Sequence, residues 1–179
     1  MLGLGRICPE KGFDRAIDAA SAAGVPFLLA GTAFGYPAHM EYFDQEIRPR
    51  LKNGHRFLGQ VGLRRKQHLL AGAKCVLIPS LAPETSSLVA MEAMACGTPV
   101  IATPRGSVPE VIEDGVTGWI VSVENYPQEA AEKLKHLSEI DPRACREQVQ
   151  RLFSKEAMVA GYEGVFERVI ADGRGGRDA

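Results

Sequence analysis

The chain has 179 residues, of which 45% are hydrophobic and 24% are charged, a balance typical of one globular domain with a core of its own. The formal net charge of −1 excludes a strong general attraction to nucleic acid or to an anionic membrane. No apolar run reaches the length of about 18 residues that crosses a bilayer, and the opening MLGLGRICPEKG lacks the pattern of a secretory signal, so we expect a cytoplasmic protein.

Short apolar runs alternate with helical patterns along the chain. The predicted strands are 2–5, 25–31, 55–61, 74–80, 98–104 and 117–122, and the predicted helices are 13–23, 38–51, 64–73, 87–97, 108–114 and a long helical region from 126 to about 169. Continuous hydrophobic strands with a helix between each pair are typical of a parallel sheet covered on both faces. We therefore predict a Rossmann-like, doubly wound α/β domain over residues 1–170, followed by a disordered tail at 171–179.

In such sheets, ligands bind in the loops that follow the carboxyl ends of the strands. The first of these loops, GRICPEKG, is not a dinucleotide fingerprint, because Cys8 stands where GxGxxG requires its third glycine. It does offer two cations, Arg6 and Lys11, of the kind that bind phosphate oxygens. The alternative is that both are surface cations that pair with Glu10 or Asp14.

A second unusual stretch is PETSSLVAMEAMACGTPVIATP, which places Glu84 in a loop and Glu92 in the helix that follows. Ser86 or Ser87 is a candidate cap for this helix, and a helix N-terminus offers free N–H groups to a diphosphate. The two carboxylates are suited to accept hydrogen bonds from sugar hydroxyls. The alternative is that Glu84 is a solvated loop residue and that Glu92 pairs with a lysine.

Several motifs, in order, resemble the carboxyl-terminal domain of retaining GT-B glycosyltransferases of the E-x(7)-E type. They are GRICPEKG, FLLAG, HRFLGQV and CVLIPSLAPETSSLVAMEAMACGTPVIATPRGSVPEVIEDGVTGWIV, and the resemblance covers residues 2 to 170. It implies a domain that binds a nucleoside-diphosphate sugar, most simply a UDP-sugar, with GDP- and ADP-sugars as alternatives. Transfer in this family rests on positioning and on stabilising the leaving group, so no cofactor is expected.

The resemblance also implies a role for each matching residue. Arg6 and Lys11 match the pair that neutralises the diphosphate, Glu84 matches the acid that contacts the transferred sugar, and Glu92 matches the acid that holds the ribose. The phosphates are expected at the backbone N–H groups of Ser87 and Leu88, and the nucleobase along the turn from Gly59 to Val61. Arg105, after the next strand, is a further candidate for contact with the sugar or the phosphates.

Two departures from the family limit what the resemblance implies. Thr85, Ser86 and Ser87 stand where many members carry a Gly-Phe-Gly stretch, so the donor sugar is not inferred. The amino-terminal, acceptor-binding half of a GT-B enzyme has no counterpart here, so the acceptor is unknown and we expect the isolated chain to be inactive. Any membrane association is expected to come from that missing half.

Two other functions stay open at this point. One is a non-catalytic subunit that binds a nucleotide sugar and acts with a separate chain. The other is half of a different GT-B enzyme, such as a sugar-nucleotide epimerase. No metal site is expected, because the histidines are scattered and no two of the four cysteines form a CxxC pair.

Overall fold

Six parallel strands form one sheet at the centre of the computed structural model, which describes residues 1–175 and the side chains of residues 1–172. The strands are β1 (Leu2–Arg6), β2 (Leu28–Thr32), β3 (Arg56–Phe57), β4 (Val76–Ile78), β5 (Val100–Ala102) and β6 (Gly118–Ile120). Their order across the sheet is β3-β2-β1-β4-β5-β6. This is the strand order of the doubly wound Rossmann fold, and the predicted fold class is confirmed.

The helices that connect the strands pack against the sheet and one another. They are α1 (Phe13–Ala22), α2 (Pro37–Tyr42), α3 (Leu63–Gly72), α4 (Leu88–Ala95), α5 (Val108–Val111), α6 (Tyr126–Lys133), α7 (Pro142–Phe153) and α8 (Lys155–Gly175). α1 packs with α6, and α4 packs with α7. Short irregular helical turns extend α2 through Arg50 and precede α1 at Pro9–Lys11.

The core is formed by the strands and by the inner faces of α1, α4 and α6. Every residue of β4 and of β5 is buried, as expected for strands covered on both faces. Met94 and Trp119 belong to this core. Tyr126 is fully buried, and its hydroxyl donates a hydrogen bond of 2.9 Å to the Ile101 carbonyl oxygen, which ties α6 to the centre of the sheet.

The long helical region predicted from 126 onward is broken into separate helices. α6 ends at Lys133 and is followed by a short 3-10 turn, Leu134–Glu139. Asp141 then caps α7, its side chain accepting from the Arg143 N–H at 2.8 Å. Pro142 occupies the first turn of α7, where a residue without an N–H fits, so this pair begins a new helix rather than continuing the old one.

The last helix, α8, continues to Gly175, so residues 171–175 of the expected tail are helical and residues 176–179 lie outside the described part of the chain. α8 packs on α7 and exposes large apolar side chains, namely Met158, Val159, Tyr162, Val165, Phe166, Val169 and Ile170. None of the helices within residues 1–175 combines the length and the apolar character needed to span a bilayer.

Candidate functional site

The strand order reverses between β1 and β4, and the loops that follow these two strands lie side by side. The backbone N–H groups of Leu81 and Ala82 donate to the Glu10 carbonyl oxygen at 2.8 and 3.4 Å, which joins the two loops. A reversal of strand order opens a crevice at the carboxyl edge of a doubly wound sheet. The candidate site is therefore at the place where this fold binds ligands.

Lys11 and Glu84 meet in this crevice, although they are far apart in the sequence. The Lys11 Nζ lies 2.6 Å from the Glu84 Oε1, and Ser80 Oγ donates to the same carboxylate oxygen. The side chains of Lys11 and Glu84 are 28% and 12% exposed, so the pair is partly enclosed. The alternative pairing of Lys11 with Glu10 or Asp14 is not the one that the structure shows, because Lys11 pairs with Glu84. The Asp14 carboxylate instead accepts from the Tyr42 hydroxyl at 2.6 Å.

That Tyr42 hydroxyl is a neutral donor. Burial, and then the Asp14 carboxylate beside it, raise the pKa of Tyr42 above its ordinary value. The bond between Tyr42 and Asp14 fixes the first turn of α1 against the end of α2. Asp14 is therefore engaged with Tyr42, and Lys11, just before α1, pairs with Glu84.

The backbone of Glu84 is held as firmly as its side chain. Its N–H donates to the Arg105 carbonyl oxygen at 3.3 Å, and its carbonyl oxygen accepts from the Ser107 N–H at 2.9 Å. Gly106 lies between these two bonds with φ +64°, and a Cβ there would overlap the Glu84 carbonyl oxygen. Arg105, a predicted ligand, has an exposed side chain at this edge of the sheet. Its backbone carbonyl oxygen helps to hold Glu84 in place.

The N-terminus of α4 opens into the same crevice. Ser87 occupies the N-cap in a left-handed conformation, φ 42° and ψ 53°, and its side chain makes no capping hydrogen bond, so the predicted serine cap is wrong. The reason is geometric, because a capping side chain works from an extended backbone. A left-handed serine is a strained conformation of the kind found at functional sites.

At this helix end the backbone N–H groups of Ser87, Leu88 and Val89 donate to no acceptor among the described residues. The first hydrogen bond of the helix runs from the Ala90 N–H to the Ser87 carbonyl oxygen at 2.9 Å. Such free groups, with the positive end of the helix dipole, favour an anion.

These features line a single pocket. It is lined by the apolar residues Leu4, Phe13, Ile78, Pro79, Leu88 and Val89 and by the polar residues Lys11, Ser80, Glu84, Thr85, Ser86 and Ser87. Four residues predicted from the sequence therefore lie together, namely Lys11, Glu84, Ser87 and Leu88.

A second, more open pocket lies beside the first, between the ends of β1 and β2. Arg6 and Val61 line it, with Phe34, Gln60 and Lys66. Leu4 lines both pockets, so the two are adjacent. Arg6 is thus separated from Lys11, with which the sequence grouped it. The Gly59 carbonyl oxygen accepts from the Gly31 N–H at 2.9 Å, which holds the turn to Val61 against β2.

Glu92 lies next to this second pocket, because it pairs with Lys66, which lines it. The Lys66 Nζ lies 2.5 Å from the Glu92 Oε1, and the two side chains are 26% and 38% exposed. The structure thus shows the pairing with a lysine that the alternative interpretation expects, and a ribose contact of Glu92 stays a prediction. Sequence reasoning missed Lys66, whose position in the first turns of α3, after β3, places it at the ligand edge.

Comparison with solved structures defines the class of protein. AviGT4, a glycosyltransferase involved in avilamycin A biosynthesis, matches with a TM-score of 0.79 and 30% identity over 95% of this chain and 51% of its own. HepE of Anabaena in complex with UDP and glucose matches with a TM-score of 0.75 and 25% identity over 95% of this chain and 48% of its own. The fold is that of the Rossmann-like half of GT-B glycosyltransferases.

The sequence comparison then identifies the family. The family model described as "Glycosyl transferases group 1" matches residues 1–139, and the chain belongs to this family. D-inositol 3-phosphate glycosyltransferase of Mycobacterium bovis is 33% identical over 174 residues, 96% of this chain and 36% of the relative. N-acetyl-alpha-D-glucosaminyl L-malate synthase of Bacillus anthracis is 34% identical over 114 residues, 61% of this chain and 30% of the relative.

The chain spans about a third of the length of these curated relatives and about half the length of the structural neighbours.

Proposed function

We propose that this chain is the donor-binding domain of a retaining glycosyltransferase that transfers a hexose from a nucleoside-diphosphate sugar. The observation that carries the proposal is the first pocket, where Lys11, Glu84 and the open N-terminus of α4 converge between β1 and β4. A cation, free N–H groups and a carboxylate in one crevice are a complementary set for a diphosphate linked to a sugar.

Each group has a proposed task. Lys11 has three N–H donors, so it can hold Glu84 and a phosphate oxygen together. The N–H groups of Ser87 and Leu88 face the other phosphate oxygens, and the Glu84 carboxylate accepts from hydroxyls of the transferred sugar. During transfer, negative charge grows on the leaving nucleoside diphosphate, and the cation and the helix dipole stabilise it in place.

The second pocket is proposed to hold the nucleoside. Arg6 at its rim extends the positive charge that faces the diphosphate, and the turn from Gly59 to Val61 lines the base. Glu92 is proposed to hold the ribose, with the Lys66 side chain beside its carboxylate. Arg105 is proposed to reach the sugar or the phosphates from its exposed position.

The proposed donor is a UDP-sugar. Support comes from HepE, which is described in complex with UDP-glucose and is 26% identical to this chain over 95% of its length. The identity of the sugar is left open, because Thr85, Ser86 and Val89 line the pocket where the sugar would lie and their side chains set its shape.

The acceptor is proposed to bind a second domain, supplied in the same polypeptide or by another chain. The support is that the chain covers about half of its structural neighbours, and that α8 exposes a continuous set of apolar side chains suited to packing on another domain. Any contact with a membrane is assigned to that second domain.

The test is a comparison of binding and transfer with the purified chain. We expect it to fold and to bind UDP weakly, because the proposed donor contacts lie in its own loops. We expect it to transfer no sugar, because the positioning of an acceptor hydroxyl is assigned to the second domain. Calorimetry measures the binding, and a radiolabelled UDP-sugar with lipid, sugar and peptide acceptors measures the transfer, before and after addition of a matching acceptor domain.

The outcomes separate the two parts of the proposal. Robust transfer by the chain alone would overturn the two-domain requirement. Failure of a chain shown by circular dichroism to be folded to bind any of UDP, GDP and ADP would overturn the donor-binding role. Lys135→Ala serves as a matched control for Lys11→Ala, because Lys135 also pairs with a glutamate, is 64% exposed and lines neither pocket.

A further inference from the structure

Cys8, Glu10 and His39 form a cluster that the proposed donor site does not use. The Cys8 Sγ, one carboxylate oxygen of Glu10 and one ring nitrogen of His39 all lie within 4.8 Å of one another. Cys8 and Glu10 belong to the loop after β1, and His39 belongs to α2. The sequence predicts no metal site. These three ligands come from two separated segments, so their spacing along the chain matches no known metal-binding motif.

His39 has a polar atom without a partner. Its Nδ1 is buried and makes no hydrogen bond to any described residue. The Tyr36 ring packs edge-on against the imidazole with 5.2 Å between ring centroids, which restricts the orientation of His39. A buried nitrogen with no partner is a cost to folding, and a bound ion would remove that cost.

Cys8 and Glu10 supply the complementary ligand types. The Cys8 side chain is buried, and its Sγ lies 3.7 Å from the Arg6 carbonyl oxygen. Glu10 supplies a carboxylate oxygen that lies within 4.8 Å of both the Cys8 Sγ and the ligand nitrogen of His39. Glu10 is exposed and free to turn toward an ion.

We propose that Cys8, Glu10 and His39 form a Zn²⁺ site, with a water molecule as the fourth ligand. A thiolate, an imidazole and a carboxylate together suit zinc, whereas magnesium and calcium prefer ligand sets made of oxygen alone. Tetrahedral zinc ligands lie about 3.3–3.8 Å apart at ordinary bond lengths, so a small movement of the exposed Glu10 side chain completes the geometry.

The site joins the loop after β1 to α2. The Glu10 carbonyl oxygen also accepts from the N–H groups of Leu81 and Ala82, so the same residue connects this cluster to the loop before Glu84. None of the three ligands is a proposed donor-binding residue. The zinc proposal therefore stands or fails independently of the proposed function.

The experiment titrates the purified chain with Zn²⁺ in a calorimeter and with Co²⁺ in a spectrophotometer. We expect one ion per chain and, with Co²⁺, thiolate-to-metal charge-transfer absorption together with the intense visible bands of tetrahedral cobalt. Cys8→Ser should abolish the charge-transfer band. His39→Gln and Glu10→Gln should each weaken the affinity by about a hundredfold, since loss of even an outer-shell partner costs about 10- to 100-fold.

Two control variants address other metal-binding groups. Cys96→Ser removes a partly exposed thiol elsewhere, and His136→Gln removes an exposed histidine whose Nδ1 contacts Glu139 at 2.7 Å. Both should bind zinc like the unaltered chain. Because Glu10 is exposed, Glu10→Gln leaves the core intact and keeps the test decisive if Cys8→Ser fails to fold.

Three results would overturn the proposal. They are no binding of either ion, binding without thiolate absorption, and binding that persists in Glu10→Gln and His39→Gln while His136→Gln loses it. The last result would assign the ion to surface side chains. A higher melting temperature with Zn²⁺ in the unaltered chain, but not in Glu10→Gln, would support the site by a route independent of spectroscopy.

Discussion

Two lysine–glutamate pairs lie at the ligand edge of this domain, and they differ in how they are held. Lys11 and Glu84 are 28% and 12% exposed, share Ser80, and rest on a backbone bridged to Arg105 and Ser107. Lys66 and Glu92 are 26% and 38% exposed and connect two helices through their side chains. The Lys11–Glu84 pair is therefore held in place by its surroundings, whereas the Lys66–Glu92 pair is held only by its own side chains.

The difference follows from the elements that carry each carboxylate. Glu84 lies in a loop, where an unsupported chain would leave it mobile, and the neighbouring loop supplies the missing backbone partners. Glu92 lies in α4, where the helix already satisfies the backbone, so its side chain turns with little constraint. The comparison predicts that changes around Glu84 disturb both structure and binding, and that changes around Glu92 disturb binding with little loss of stability.

The largest expected effect comes from Gly106→Ala. The new Cβ would overlap the Glu84 carbonyl oxygen and lie 2.6 Å from the Glu84 nitrogen. It would also force a side chain into a left-handed conformation. We expect a loss of about 2–4 kcal/mol in the free energy of unfolding, measured by urea denaturation.

Gly115→Ala is the matched control for this variant, since Gly115 has φ +76° with nothing within 4 Å of its added Cβ. It should cost about 1–2 kcal/mol, from backbone conformation alone. Equal losses in the two variants would show that the bridge to Glu84 contributes nothing.

The next effect concerns affinity for a nucleoside diphosphate. Lys11→Ala removes a partly enclosed cation from the first pocket, and a hydrogen bond to a charged group contributes roughly 1.5–3 kcal/mol, so UDP should bind about 10- to 150-fold more weakly. Arg6→Ala should fall at the lower end of this range, because Arg6 is exposed and faces the second pocket.

Calorimetry checks both variants, with Lys135→Ala as the control. Unchanged affinity in Lys11→Ala and in Arg6→Ala would remove the basis for placing the diphosphate here. A larger loss in Arg6→Ala than in Lys11→Ala would instead place the phosphates in the second pocket.

A smaller effect separates the two glutamates. Glu92→Gln should weaken UDP itself by about tenfold, which corresponds to about 1.4 kcal/mol, because Glu92 is assigned to the ribose. Glu84→Gln should leave UDP nearly unchanged and weaken a UDP-sugar, because Glu84 is assigned to the sugar. Paired titrations with UDP and UDP-glucose measure the difference, and equal losses for plain UDP would contradict this division.

The smallest expected effect is the coupling free energy between the two side chains of each pair. A double-mutant cycle of Lys66→Met and Glu92→Gln should give a coupling of about 0.5 kcal/mol or less, as for other exposed pairs, and it should shrink in high salt. The cycle of Lys11→Met and Glu84→Gln should give a larger coupling that is less sensitive to salt, because that pair is more enclosed. Thermal denaturation at two salt concentrations measures both coupling free energies. A larger coupling for Lys66 and Glu92 than for Lys11 and Glu84 would contradict the proposed difference between the pairs.

The fold class was predictable from the sequence because it depends on local patterns. Continuous apolar runs such as KCVLIPS, separated by segments of helical periodicity, leave few arrangements other than a covered parallel sheet. Element ends were less predictable. Asp141 and Pro142 break the long carboxyl-terminal helical region, since a capping side chain and a missing N–H outweigh the helical pattern around them.

For the site, the sequence predicts which loops lie at the ligand edge, because the carboxyl ends of parallel strands share one edge of the sheet. It placed Lys11, Glu84, Ser87 and Leu88 on that edge, and the structure brings these four into one pocket.

Contacts between distant segments were decided by the tertiary structure alone. The pairing of Glu92 with Lys66, the bridge that holds Glu84 and the meeting of Cys8 with His39 join segments that no local spacing relates. The left-handed backbone of Ser87 also depends on tertiary structure, because a strained residue persists only where the surrounding packing holds it. Local periodicity encodes the elements and their order, whereas these contacts depend on how the packed sheet sets one loop against the next.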